Sequence, residues 1–215
     1  MTNIHSIVFN PFQVNTFLLY DETGECVIID PACYEPHEEA QLAGFIEQKQ
    51  LKPVAILYTH AHIDHILGNN FAIRQFGLKP LTHKDSLPFM TSAHQYGKTF
   101  GFEVDELIVP ERFIEDGQEI RFGNQKLIAL HTPGHAAGSI CYYHEKEGFV
   151  IAGDVLFSGS IGRTDLPTGD FDLLIRSIEE KLMSLPDEVK VYPGHGPATT
   201  IGQERNTNPF LNGRY

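Results

Sequence analysis

Apolar and polar residues alternate over 4–9, 16–20 and 26–30, and the runs break at Asn10-Pro11 and Glu22-Thr23-Gly24. Period-two patterning between turn residues predicts strand, turn, strand. Over 36–50 the period changes. Ala40, Ala43 and Ile46, with Leu42 and Phe45 less cleanly, fall at helical spacing ahead of the apolar run 54–58, so a helix feeds another strand. A second helix is expected to start within 63–67 and run to about Phe76, with Gly77 as its stop. Residues 81–110 carry no decisive period. From Gln118 the strand pattern returns at 119–122, 126–131, 139–143 and 149–152, with turn signals at Phe122-Gly123-Asn124 and Glu147-Gly148, as in a meander. Phe171, Leu174, Ile175, Ile178 and Leu182 predict a helix within 170–185, followed by a strand at 189–192 and a loop at 193–197. The order β-rich, α, β, α thus occurs twice, without an internal sequence repeat, a Pro-rich linker or a charge block. One layered α/β domain over 1–215, with helices on two packed sheets, is the expected architecture.

Composition supports one folded unit. At 215 residues the chain can build a substantial core without disulfides or a partner. Its 41% hydrophobic and 20% charged residues are ordinary globular values, which gives no reason to expect a disordered tail. With 16 basic against 28 acidic residues the net charge is -12, which repels a phosphate backbone and argues against a nucleic-acid partner. No run approaches the roughly 20 apolar residues of a membrane span, and the N-terminal residues show neither a basic start nor a small-residue cleavage pattern. Cys26, Cys33 and Cys141 are odd in number and lack Cys-x-x-Cys spacing, which fits a reducing compartment. A cytoplasmic protein is therefore expected. The 11 histidines change the picture, because His60, His62, His65, His135 and His195 lie in three short motifs.

The densest motif is Thr59-His60-Ala61-His62-Ile63-Asp64-His65, directly after the apolar run 54–58. In an extended segment residues two apart project to one side, so His60 and His62 can offer imidazoles to one ion. Asp64 and His65 fall where the chain turns into a helix, which aims them at a second point nearby. So dense a set of His and Asp at a strand exit has little structural use. Imidazole and carboxylate donors suit zinc, iron or manganese, and a pair of sites needs about two further ligands and a bridging group. Three strand ends supply such groups: His135 in Thr132-Pro133-Gly134-His135, Asp154 after 149–153, and His195 after Pro193-Gly194. Each follows a glycine, which permits a tight turn or a close backbone approach. Taken singly, a histidine or aspartate after a strand is more often a surface residue, a turn or a cap. Their conjunction with the 60–65 cluster is what points to metal. His5, His37, His83, His94 and His144 are read as ordinary surface or core histidines, and His131 as a strand residue that supports a ligand rather than being one.

With a His-x-His-x-Asp-His signature at 60–65, the chain resembles the metallo-β-lactamase superfamily over nearly its whole length. The resemblance implies a four-layer αββα sandwich. It implies that His60, His62 and His135 bind a first metal, that Asp64, His65 and His195 bind a second, and that Asp154 bridges both. It also implies that Asp30, after Val27-Ile28-Ile29, supports the ligands from behind. β-Lactamases of the commonest class carry a Cys where this chain has Asp154, which argues against antibiotic hydrolysis. Thr132-Pro133-Gly134-His135-Ala136-Ala137-Gly138-Ser139, Gly153-Asp154-Val155-Leu156-Phe157, and Gly194-His195-Gly196-Pro197 with the tail 204–210 are similar to short bacterial members of the glyoxalase II group. Two departures accompany the similarity. A single domain over 1–215 is expected, without the C-terminal helical domain by which full-length glyoxalase II binds glutathione. The Lys and Tyr that contact glutathione there are replaced by Gly162-Arg163-Thr164-Asp165, in which Arg163 keeps the charge.

The expected activity is hydrolysis of a small-molecule thioester such as S-lactoylglutathione by a hydroxide shared between two divalent ions, zinc first, with iron or manganese also suited. In that scheme Asp64 and Asp154 orient the hydroxide and neutralise the ions, while Arg163 holds a substrate carboxylate. Gly162-Arg163-Thr164-Asp165 also looks like the persulfide dioxygenases of the superfamily, which implies a single iron on His60, His135 and Asp154 with His62 excluded. A non-catalytic metal-binding protein is the third alternative.

Overall fold

A computed structural model gives the structure of residues 1–213. Strands β1 (Asn3–Phe9), β2 (Val14–Tyr20) and β3 (Glu25–Ile29) form an antiparallel meander; helix α1 (Pro36–Gln48) leads to β4 (Lys52–Leu57), and α2 (Asn69–Phe76) to β5 (Pro80–Leu81). The last two strands add in parallel, so the first sheet has the order β1-β2-β3-β4-β5. After α3 (Leu87–Thr99) come β6 (Glu119–Phe122), β7 (Gln125–His131), β8 (Ile140–His144) and β9 (Phe149–Gly153). A two-stranded ribbon, β10 (Leu156–Phe157) with β11 (Ser160–Ile161), precedes α4 (Phe171–Ser177), β12 (Lys190–Pro193), β13 (Thr199–Thr200) and α5 (Ile201–Thr207). The second sheet runs β13-β12-β9-β8-β7-β6 and is antiparallel except where β12 lies parallel to β9.

Side-chain alternation explains the layering. From β2 and β3, Phe17, Leu19, Val27 and Ile29 face inward and meet Phe122, Leu127, Ala129, Tyr142 and Ile151 of the second sheet. Their neighbours Leu18 and Ile28 face outward onto Leu42 and Ile46 of α1, Ile73 of α2 and Met90 of α3. On the far side, Cys141, Tyr143, Val150 and Ala152 pack on Leu174 of α4 and on Ile178 and Leu182 just after it. Each buried Val, Leu, Ile, Phe or Met among them contributes roughly 1.5–3 kcal/mol. The outcome is the expected αββα sandwich, a mixed α/β fold with β2 and β3 of the first sheet buried on both faces.

Several elements differ in extent from the expected ones. The second helix is split: Ile63–His65 forms a single 3-10 turn, and α2 begins only at Asn69, ending at Gly77 as anticipated. The helix within 170–185 finishes as a π turn over Ile178–Leu182. The ambiguous stretch contains the end of β5 and all of α3, and the tail contains α5, capped by the Thr200 hydroxyl accepting from the Gln203 N–H at 3.1 Å. Among the described residues no helix is long and apolar enough to cross a membrane.

The loops that leave β3, β4, β7, β9 and β12 gather at one edge of the sandwich, and the two sheets are joined there by backbone. Asn15 N–H donates to Gly194 O, and Ile140 N–H to Thr59 O, both at 2.7 Å. The Tyr142 hydroxyl donates to Tyr58 O at 2.7 Å. At the opposite edge, Asp21 after β2 accepts from Asn124 N–H of the β6–β7 turn at 2.7 Å.

Candidate metal centre

The segment Thr59–His65 leaves β4 as a buried loop, and what fixes its path is Asp30 at the end of β3. Asp30 sits at φ 50°, a left-handed conformation costly for a residue with a Cβ. Three hydrogen bonds offset that cost. Its carboxylate accepts from Thr59 N–H at 2.7 Å, from the Thr59 hydroxyl at 2.6 Å and from His65 Nδ1–H at 2.9 Å. Asn10 anchors the same loop from the β1–β2 turn, its amide donating to Asp64 O at 2.9 Å and Ala32 O at 3.0 Å. On the second sheet, Gly153 turns at φ 51° against Thr59 to present Asp154, and at Gly194 a Cβ would collide with Asp154 Oδ1. Glycine there is what lets His195 and Asp154 approach one another.

These loops bring all seven expected side chains together. One potential ligand atom from each of His60, His62 and His135 lies within 4.8 Å of the others; the same holds for Asp64, His65 and His195, and for His60, His65 and Asp154. His60 Nε2 is 3.3 Å from His135 Nε2, and His65 Nε2 is 3.3 Å from His195 Nε2. Asp154 Oδ1 is 3.4 Å from His65 Nε2, and its Oδ2 is 3.4 Å from His195 Nε2 and 3.7 Å from His135 Nε2, so this carboxylate stands between the two groups.

Hydrogen bonds on the far side of the rings set their tautomers. His65 Nδ1–H donates to Asp30, His135 Nδ1–H to Arg163 O at 2.8 Å, and His195 Nδ1–H to Phe12 O at 2.8 Å. The Thr59 hydroxyl donates to Asp30, so it accepts from His60 Nδ1–H at 3.1 Å. In its neutral form each of these rings turns an Nε2 lone pair inward, and two such lone pairs facing at 3.3 Å need a proton or a metal cation between them. His62 Nε2 and Asp154 Oδ1 are also buried without a hydrogen-bond partner, although buried polar atoms are nearly always paired. The donor set fits a pair of divalent cations of the imidazole-accepting kind.

Electrostatics divide the cluster. Burial, reinforced by the neighbouring imidazoles, pushes His60 well below the usual histidine range and His62 down to about 3. Burial likewise lowers His135 despite Asp154. For His65 burial acts downward too, but Asp154, Asp64 and Asp30 outweigh it and hold the ring well above its ordinary value. His195 is opposed by burial and still raised to about 9 by hydrogen bonds to Asp154 and Asp64. Burial would raise the two carboxylates, yet His65 and His195 keep Asp154 well below the carboxylate range and lower Asp64. Without metal, protons are thus favoured on the His65–His195 side of the cluster, beside Asp64 and Asp154, while His60, His62 and His135 favour the neutral form.

Above the cluster lies a cleft of about 150 Å³ lined by Phe12, Ile63, Tyr96, Phe100, Arg163 and Leu166 together with the site residues. Arg163 reaches its rim, but the guanidinium is engaged by Asp165 in a two-point ion pair at 2.7 Å, with both side chains largely exposed. Its backbone carbonyl rather than its charge touches the cluster, through His135. His131, in β7, donates from Nε2 to Ala137 O at 2.8 Å and so steadies the loop that carries His135. Thr59, Asn10, Phe12, Tyr96 and Phe100 had no signal in the sequence beyond Thr59's adjacency to the 60–65 motif.

Residues 9–195 match the metallo-beta-lactamase superfamily. A probable metallo-hydrolase of Bacillus subtilis, YqgX, is 39% identical over 94% of each chain. The hydroxyacylglutathione hydrolase GloC of Haemophilus influenzae is 36% identical over 99% of each. Among solved structures, the BLEG-1 B3 metallo-beta-lactamase superposes with a TM-score of 0.88 at 36% identity, covering 98% of this chain and all of that one. TTHA1623 in a di-iron-bound form gives 0.86 at 37%, with 96% and 100% covered. ETHE1 from Myxococcus xanthus gives 0.78 at 26%, with 98% and 85% covered. With a matching motif set, fold and His/Asp cluster, the chain belongs to the metallo-beta-lactamase superfamily and is a metal-dependent hydrolase.

Proposed function

We propose that the chain hydrolyses acyl thioesters of the S-lactoylglutathione type. The observation that carries this is a buried cluster able to hold two cations at the floor of a cleft, in a chain end-to-end similar to a hydroxyacylglutathione hydrolase. His60, His62 and His135 would hold one ion, Asp64, His65 and His195 the other, and Asp154 both. Such a pair, when bound, lowers the pKa of a shared water toward about 7 and polarises the substrate carbonyl. Asp64 and Asp154, ionised at neutral pH, accept a hydrogen bond from the attacking water at their carboxylate oxygens and orient it. The cleft walls exclude bulk water and fix the acyl group over the cluster. The leaving group is a thiol with an ordinary pKa of about 8.5, so it departs as thiolate without a strong general acid.

Turnover of S-lactoylglutathione by the purified protein, followed as thiol release, tests the proposal. The expected result is turnover that a chelator abolishes and that Asp154→Asn lowers at least ~100-fold. No metal-dependent thiol release, or full activity in Asp154→Asn, would refute it. Including a chromogenic cephalosporin in the panel addresses the likeness to a B3 β-lactamase.

A second possibility rests on the Gly162-Arg163-Thr164-Asp165 sequence and on a 2-His-1-carboxylate set within the cluster, His60, His135 and Asp154. It is oxidation of glutathione persulfide with one iron. Oxygen uptake by the iron-loaded protein that requires persulfide would favour it; its absence removes it.

A further inference from the structure

The cleft over the cluster has two unlike walls. On one stand Leu166 and Arg163, whose charge is paired with Asp165 outside the cleft. On the other, Tyr96 from α3 meets Phe100 just beyond the helix edge-on, with centroids 5.0 Å apart at 66°. Phe12, in the β1–β2 turn, faces Phe100 at 6.2 Å. Phe12 and Phe100 are 42% and 37% exposed, whereas most large apolar side chains are buried. Scattered exposed rings need no explanation, but two facing each other at the mouth of a reactive cleft mark a binding surface. They are also firmly backed. Phe12 leans on Phe102 at 5.6 Å and Tyr96 on Phe89 at 6.4 Å, and both supporting rings are buried. Phe89 in turn stands edge-on to His62 at 5.4 Å. An aromatic wall therefore runs from solvent to the metal cluster, preorganised by its own packing.

The Tyr96 hydroxyl is the wall's one polar group. Burial and the Asp64 carboxylate raise its pKa, so it stays protonated. The described residues of this wall, Phe12, Tyr96 and Phe100, carry no charge. A cleft of about 150 Å³ is smaller than the roughly 300–1,000 Å³ that encloses a whole ligand, so it takes one group of the substrate. Of the two groups that flank the scissile carbonyl, the glutathionyl thiol is too large for such a cleft and the acyl substituent is compact enough to fill it.

We propose that Phe12 and Phe100, backed by Tyr96, read the acyl group, and that the chain prefers thioesters with apolar acyl groups over the compact hydroxyacyl group. This rests on thioester hydrolysis at the same site. An alkyl or phenyl substituent would cover the two rings and leave water, whereas a hydroxyl there gains no partner from either phenyl ring.

A series of S-acylglutathiones, acetyl, butanoyl, hexanoyl, phenylacetyl and lactoyl, tests it with the metal-loaded enzyme. The expected kcat/KM rises about fourfold per added methylene up to the capacity of the cleft, mainly through KM, and butanoyl exceeds lactoyl. In Phe12→Ala and Phe100→Ala the hexanoyl-to-acetyl ratio falls toward one, and Phe100→Leu restores part of it. Because the ratio is taken within each variant, a general loss of folded enzyme does not move it. A flat series, a lactoyl preference, or an unchanged ratio in both alanine variants overturns the proposal. Affinities of S-alkylglutathione thioethers, measured by calorimetry, give a readout independent of turnover. If no thioester is hydrolysed the proposed activity falls, and the thioethers alone decide the wall. Length-dependent affinity lost in Phe100→Ala sustains its apolar preference; length-independent affinity overturns it.

Discussion

Asp30 faces no substrate, yet Thr59 N–H, the Thr59 hydroxyl and His65 Nδ1–H all end on its carboxylate, and through the Thr59 hydroxyl it also fixes His60. Asp30→Asn puts donors where acceptors are needed. It is expected to weaken metal affinity 10–100-fold with the fold retained, measured by competition against a chromogenic chelator alongside circular dichroism. The raised histidines make a second prediction. His195, at about 9, and His65, also raised, carry protons at pH 7 that a metal must displace. Metal affinity should therefore climb with pH, by up to about tenfold per unit for each proton released, with the His195 contribution levelling off above about pH 9. Calorimetry in buffers of different ionisation enthalpy counts those protons; an affinity independent of pH from 6.5 to 8.5 would contradict the assignment. At this scale the sequence was highly legible. Metal chemistry requires particular side chains, and four of the seven sit within one local motif. Asp30 was found only through a family resemblance, because an aspartate after a strand is usually a turn. The carbonyls of Phe12 and Arg163 that orient His195 and His135 were invisible, since a backbone oxygen carries no residue identity.

The tail 204–210, quoted above for its family likeness, turns out to be a clamp. Glu204 of α5 is fully buried and accepts from the Thr199 hydroxyl at 2.5 Å, Gly159 N–H at 2.8 Å and the Asn208 amide at 2.8 Å. Asn208 donates on to Ser160 O at 3.0 Å. The ribbon β10–β11, which directly follows Asp154, is thus tied to α5. Glu204→Ala strands these donors and should cost roughly 2–4 kcal/mol in urea unfolding; an effect below 1 kcal/mol would count against the clamp. The helix α5 escaped notice because its seven residues are too few to display a period. In α3 the buried Phe89, Met90, Ala93 and Gly97 do recur at helical spacing, but Pro88 and Gly97 resemble turn residues. The larger strands and helices declared themselves because one buried face dictates their period.

Across the whole molecule, His60, His62, Asp64 and His65 come from the first sheet, and His135, Asp154 and His195 from the second. Metal binding therefore cross-links the sandwich. Removing it with a chelator should lower the thermal midpoint by roughly 5–10 °C per ion, taking about 2.7 kcal/mol for a ligand at 100 times its Kd. Scanning calorimetry checks this, and Asp154→Asn should shrink the difference. At the opposite edge Asp21, which burial would raise, is lowered to about 2 by hydrogen bonds from Thr23, Asn124 and Gln125. Its contribution is fully present above its usual pKa and fades as pH falls through about 2. Acid unfolding of Asp21→Asn should lack that limb, and identical acid curves would refute the role.

His65 and His195 stand 130 positions apart along the chain while their nitrogens nearly touch. On a ribosome the first half of the centre would emerge long before its counterpart, so full occupancy has to await the final helices and strands. A shortage of the metal would then tax newly made copies most, and older copies, already loaded, would survive proteolysis longer than fresh ones.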